Sequence, residues 1–280
     1  MQHYGYWLLA GLLCWGAVVH AQEQNSEDYV GAVTAYLQEE TGKTPQSQEI
    51  VSLLNRFVAA NYQEGDYRTA VTVAEQTYRF AEQQLGPEHP NTLSSVNNLA
   101  ALYDSQGRYG DAEPLLQRAL AGYEKALGPE HPDTLRSVNN LAALYKSQGR
   151  YGDAEPLLQR ALAASEKVLG PEHPDTLSSV NNLAVLYDSQ GRYKEAEPLY
   201  QRALAAREKV LGPEHPDTLT SVNNLAFLYQ AQGRYGDAEP LYQRALAASE
   251  KVLGPEHPDT LSSVNNLAFL YQAQGRYGDA

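Results

Sequence analysis

The sequence predicts an all-α fold, a right-handed superhelical solenoid of antiparallel helix pairs. Three observations carry this expectation. The hexapeptide Leu-Gly-Pro-Glu-His-Pro starts at Leu85, Leu127, Leu169, Leu211 and Leu253, 42 residues apart each time. Within each interval apolar residues recur at helical spacing in two successive segments. Gly and Pro stand at the segment ends, where helices open and close. A helix with one apolar face must lie against a neighbour to bury it, so a row of repeats replaces the usual count of globular domains.

From the N-terminus, residues 1–21 read as a signal peptide, 22–48 as a helical capping segment and 49–280 as the array. Its units are 49–90, 91–132, 133–174, 175–216, 217–258 and a partial 259–280. The first is divergent, with Gly65, Tyr67 and Ala70 standing 42 residues before Gly107, Tyr109 and Ala112. Trp7 to Val19 is an apolar stretch of 13 residues, short for a membrane span. It ends at Val19-His20-Ala21, with small residues at the two positions that signal peptidase reads. No Lys or Arg precedes it, and Gly11-Leu12-Leu13-Cys14 is a poor lipoprotein box because Leu13 is large. The expected location is exported, periplasmic or extracellular; the alternative is a membrane anchor formed by an uncleaved N-terminal segment. Cys14 is the only cysteine. The mature chain would therefore carry neither disulfides nor a thiol nucleophile.

Unit 133–174 illustrates the helix pair. Leu135, Val138, Leu141, Ala142 and Tyr145 form the apolar stripe of a first helix, opened by Pro132-Asp133 and closed by Gly149. A second helix is expected from about Asp153 to Val168, with Pro156 in its first turn and Gly170-Pro171 at its end. Val138-x-x-Leu141-Ala142-x-x-Tyr145, then Ala154-x-x-x-Leu158, resembles the tetratricopeptide repeat. The 42-residue period, with Asn-Asn-Leu-Ala-Val-Leu-Tyr and Glu-Lys-Val-Leu-Gly, is similar to the kinesin light chain type of that family. The resemblance covers four full units and parts of two more, and it speaks to fold more than to function.

Units 133–174 and 217–258 differ at only five places, four of them on the first helix: Arg136/Thr220, Ala143/Phe227, Lys146/Gln230 and Ser147/Ala231. Within the unit these are positions 4, 11, 14 and 15. At about 100° per residue they share an arc of about 100°. A constant scaffold with one varied stripe is expected to vary the surface it offers to partners, and the resemblance implies that this face lines a concave groove. The other reading is drift at tolerant sites. Drift would also alter the outer face of the second helix, which differs little apart from Tyr123, Ser165, Arg207 and Ser249.

Positions 7 and 8, in or beside the arc, are paired asparagines: Asn97 and Asn98, Asn139 and Asn140, Asn181 and Asn182, Asn223 and Asn224, Asn265 and Asn266. Asn is a mediocre helix former, so these residues need a reason. An amide donates and accepts, which suits a ladder that binds a peptide backbone of any sequence; the resemblance implies that use. Alternatively one Asn of each pair bonds the neighbouring repeat. We expect one structural and one ligand-facing Asn per unit. Charge in the stripe cancels, with Arg136 and Lys146 against Asp104 and Asp188. Position 11 runs Ala101, Ala143, Val185, Phe227, Phe269, so the stripe grows more apolar toward the C-terminus. The two Phe rings are expected either to anchor a partner or to pack on a neighbour.

No catalytic arrangement is visible, and neither cofactor nor metal is expected. Thr41-Gly42-Lys43-Thr44 resembles the end of a phosphate loop, but Leu37 stands where the first Gly is required. His89, His131, His173, His215 and His257 occur once per unit, which suits helix starts rather than a zinc site. The net charge of −13 disfavours nucleic acid. The sequence thus predicts an exported, non-enzymatic scaffold for protein or peptide segments, with no small-molecule substrate. Two alternatives stay open: the sensor half of a larger protein with a caspase-like peptidase effector, which the family resemblance suggests, and a structural array that self-assembles end to end. Because the sequence stops at Gly278-Asp279-Ala280, where a second helix is due, it is expected to be part of a longer protein. Otherwise its open C-terminal end should fray or self-associate.

Export is tested by fractionation. Deleting residues 1–21 should strand the protein in the cytoplasm, and the secreted form should begin at Gln22. An intact Met1 in the membrane fraction would contradict cleavage.

Overall fold

The computed structural model describes residues 28–278, so the expected signal peptide (1–21), the start of the capping segment and the last two residues lie outside it. The described residues form twelve α-helices and no strand: α1 (Tyr29–Thr41), α2 (Ser47–Gln63), α3 (Tyr67–Leu85), α4 (Pro90–Ser105), α5 (Tyr109–Leu127), α6 (Pro132–Ser147), α7 (Tyr151–Leu169), α8 (Pro174–Ser189), α9 (Tyr193–Leu211), α10 (Pro216–Ala231), α11 (Tyr235–Leu253) and α12 (Pro258–Ala273). They form two compact bodies, one up to Gln148 and one from Gly149. In the first, α1 packs on α2 and α3, each helix from α2 to α5 packs on the next, and first helices of successive repeats touch (α2 with α4, α4 with α6). In the second, each helix from α7 to α11 packs on the next and α8 touches α10.

Local chemistry sets the boundaries. His131, in extended conformation, accepts the N–H of Asp133 on its Nδ1 at 3.2 Å, and Pro132 supplies the first helical residue. The other four repeat histidines cap their helices in the same way. A three-residue turn follows each first helix. Its Gly adopts a left-handed φ, +72° at Gly233, where an L side chain would be strained.

The second helix corrects the sequence reading. It begins at Tyr151, not near Asp153, so Pro156 is its sixth residue and not part of the first turn. Arg150 at the N-cap clasps Asp153 through Nε at 2.8 Å, which extends the helix backwards. Pro156 therefore removes one internal hydrogen bond. Both Pro156 and Gly152, the residue whose carbonyl loses its partner, are exposed, so water can replace the missing N–H.

Burial follows the apolar stripes. Val96, Val138, Val180 and Val222 are fully buried, as are Ala100, Ala142, Ala184 and Ala226. In α12 the stripe opens: Val264, the counterpart of Val222, is 42% exposed, and Leu261, the counterpart of the buried Leu219, is 50% exposed. Thr41-Gly42 forms the C-terminal end of α1, with Gly42 at φ +66°, and Lys43-Thr44 lies in the loop beyond.

Amide exchange should follow this difference. Residues 259–274 are expected to exchange far faster than residues 217–232. Equal protection in a dilute monomer would mean that another segment covers α12.

Candidate functional site

The four variable first-helix positions all lie on the side away from the core. Arg136 and Thr220, Ala143 and Phe227, and Ser147 and Ala231 are exposed, while Lys146 and Gln230 are half-buried. The fifth difference, Leu158/Tyr242, lies in the core at 3% and 1% exposure. Phe227 and Phe269 stand well into solvent, at 57% and 62%. Ala101 and Ala143 are exposed and Val185 half-buried at the same position.

The paired asparagines divide their work. Position 7 is spent on stacking. Asn97 is 5% exposed and accepts from the Ser137 hydroxyl of the next repeat at 3.4 Å. The Oδ1 of Asn181 accepts from Nδ2 of Asn224 at 2.8 Å, and the Oδ1 of Asn55, at the same position of unit 49–90, accepts from Asn98 at 3.2 Å. Position 8 thus donates back to the preceding repeat at Asn98 and Asn224, whereas the Oδ1 of Asn223 is buried with no partner. Asn139, Asn140, Asn182, Asn223 and Asn266 are half-buried, and Asn265 is exposed.

The charged members of the stripe are largely spent. Arg136 pairs with Asp133 at 2.7 Å. Burial raises the Asp104 carboxyl above its ordinary range, while the Ser147 hydroxyl and Lys146 oppose the rise. Burial likewise raises Asp188, against a hydrogen bond from the Tyr200 hydroxyl. Burial and the neighbouring Asp188 push the Tyr200 phenol well above its usual value. Ser178, Thr220 and Ser262 turn their hydroxyls onto the carbonyls of Pro174, Pro216 and Pro258. In the second body, α8, α10 and α12 therefore offer amides, methyl groups and aromatic rings with little exposed charge.

Tyr123, Ser165, Arg207 and Ser249, taken from the sequence as outer-face residues, are buried at 0%, 1%, 7% and 3%. They point into packed surfaces because each lies on the same side of its helix as Ala119, Ala161, Ala203 and Ala245 four residues earlier. The Arg207 guanidinium donates through Nη1 to the Asp217 carbonyl at 3.1 Å and to Ser221 Oγ at 2.7 Å, and burial lowers its pKa. The exposed side of the second helices is thus even more uniform than the sequence reading supposed.

The junction between repeats was also not read from the sequence. Tyr229 accepts from Gln201 Nε2 at 3.2 Å, Arg234 lies 4.0 Å from the Tyr229 ring centre, and the same arginine pairs with Glu197 at 3.0 Å. Its signal was the constancy of Tyr, Arg, Glu and Gln at fixed places in every unit, which looks like ordinary surface polarity until the stack is built. Among the described residues no three His, Cys, Asp or Glu side chains come close enough to hold a metal, and no helix is long and apolar enough to cross a membrane.

Comparison with known proteins bears on this face. The tetratricopeptide repeat family model matches residues 49–125, 97–167, 133–209, 189–235 and 217–280. No curated protein matches the sequence. A putative kinesin light chain from Podosopora anserina with nearly identical TPR-like repeats is similar in structure: 32% identity over 75% of this chain and 99% of that one, at a TM-score of 0.60. BtubC (BKLC) from P. vanneervenii shares 26% identity over 81% and 86% of the two chains, with a TM-score of 0.60. A Rap protein crystallised with competence and sporulation factor has a TM-score of 0.61 at 17% identity over 88% and 71%, a likeness of fold alone.

Adjacent residues in α10 separate stripe from core. Leu228→Ala should lower the urea-unfolding free energy by about 2–5 kcal/mol, and Phe227→Ala should change it by less than about 0.5 kcal/mol. Comparable losses would show that Phe227 serves packing.

Proposed function

Because the chain belongs to the tetratricopeptide repeat family, in its kinesin light chain-like form, we propose that it is an exported, non-enzymatic scaffold. It holds peptide or protein segments against the varied faces of its first helices, which the family resemblance puts in a concave groove. One observation carries this reading. From residue 91 on, variation gathers on positions 4, 11, 14 and 15 of the first helix, while the exposed side of the second helix changes less, mainly at Lys194, Glu195 and Ala126. Unselected drift would touch both sides alike.

The chemistry suits a chain segment better than a small ligand. Position 8 of the pair carries a half-buried amide whose oxygen can accept a backbone N–H, as at Asn98 and Asn224. Regularly spaced amides can hold an extended backbone whatever its side chains, and position 11 then contributes preference. A net charge of −13 works against nucleic acid as the partner.

Replacing Asn140, Asn182 and Asn224 together with Ala should leave helicity unchanged or slightly higher, and should abolish capture of partners from an envelope extract. Lost helicity with unchanged capture would mean that position 8 only fixes stacking.

A further inference from the structure

The change at position 11 from Ala101 and Ala143 to Phe227 and Phe269 does not come alone. In α10 and α12, position 14 is Gln230 or Gln272 and position 15 is alanine; earlier units have Asp, Lys or Asp at position 14 and serine at 15. Three replacements, made in the same two helices, turn a small site beside a charge into a large uncharged one. The chain has four phenylalanines. Phe57 is buried and Phe80 half-buried, whereas Phe227 and Phe269 are the two that stand in water. Rings held at one register of a regular stack face the same way.

Their spacing can be bounded. α8 and α10 touch, joined by the 2.8 Å Asn224–Asn181 bond, and α12 packs on α11 as α10 packs on α9, so the repeat sets α10 and α12 at a similar interval. Packed helices lie about 8–10 Å apart. An extended chain advances about 3.3 Å per residue, so this interval is covered by about three residues.

We propose that Phe227 and Phe269 form a paired aromatic platform that selects an extended partner segment. That segment carries bulky apolar side chains at i and i+3, with no charged residue between them. The proposal rests on the partner-holding reading above and adds the class of segment held. Each ring removes one apolar side chain from water, and the half-buried amide of Asn224, three residues before Phe227, takes a backbone N–H beside it. A charge placed between the anchors would lose its hydration with no counter-charge on α10 or α12 stripe positions to replace it.

The test is a selection of displayed random short peptides on the full chain. Synthetic copies of the enriched sequences are then measured by fluorescence anisotropy. Enriched peptides should share two large apolar residues three apart with neutral residues between them. Phe227→Ala and Phe269→Ala should each weaken binding at least about tenfold. The double Phe→Leu variant, which keeps an apolar anchor, should stay within about threefold of the wild type. Shifting the spacing by one residue, or placing Lys between the anchors, should weaken binding as much as the alanine changes do. Both alanine sites are exposed, so an unchanged melting curve checks that the variants remain folded.

Enrichment of charged motifs, indifference to spacing, or binding unaffected by the double alanine variant would overturn the proposal. If binding then still falls with Asn182→Ala and Asn224→Ala, the partner-holding reading survives without this one. If neither set matters, or no peptide is enriched, both fall. Dimers in sedimentation that dissociate on Phe227→Ala/Phe269→Ala would also overturn the proposal, because the rings would then serve a second copy.

Discussion

A first helix of this chain does not bury its apolar stripe against a single neighbour, and the rest of the structure follows from that constraint. Val222 in α10 has helices on both sides and is fully buried, while Val264, its counterpart in α12, is 42% exposed. Burying such a side chain fully is worth about 1.5–3 kcal/mol, so stacking supplies most of the stability. The Tyr–Arg–Glu–Gln junction adds direction more than energy. Exposed or half-exposed ion pairs such as Arg234–Glu197 and Lys209–Glu172 contribute about 0–1 kcal/mol each. Their geometry instead favours one register between neighbouring repeats.

The constraint divides the surface of each repeat into spent and unspent parts. The core stripes, the histidine caps, the glycine turns and the junction residues are all committed, and they barely vary between units. Position 7 is committed too, through bonds such as Asn224–Asn181. What remains free is one strip of each first helix and the solvent side of each second helix. The first of these varies more than the second, which changes mainly at Lys194, Glu195 and Ala126. Selection acting on the first-helix strip accounts for that contrast, since both strips are equally free of packing demands.

Much of the fold was legible because it is periodic. The hexapeptide spacing gave the repeat length, and the Pro and Gly positions gave the helix ends to within a few residues. The start of the second helix was misread because Pro156 looked like a first-turn residue, and the Arg150–Asp153 clasp that lengthens the helix leaves no separate signal. Arg207 was misread for a related reason. Charged residues are usually exposed, and only the packed neighbour reveals that Ser221 and the Asp217 carbonyl receive this one. For the candidate site, the stripe could be drawn from the helical angle alone. The different roles of positions 7 and 8 could not, because they depend on how the next repeat is placed, and two adjacent asparagines look alike in sequence.

The central claim is that partners meet the first-helix strips and not the second helices. Exposed alanines on both sides allow a matched test: Ala143 lies on a first helix and Ala163 on a second. A photoreactive amino acid placed at either site, followed by irradiation of the protein in cells, should yield partner adducts from position 143 and none from 163. Adducts from position 163 alone, or in equal yield from both, would contradict the account.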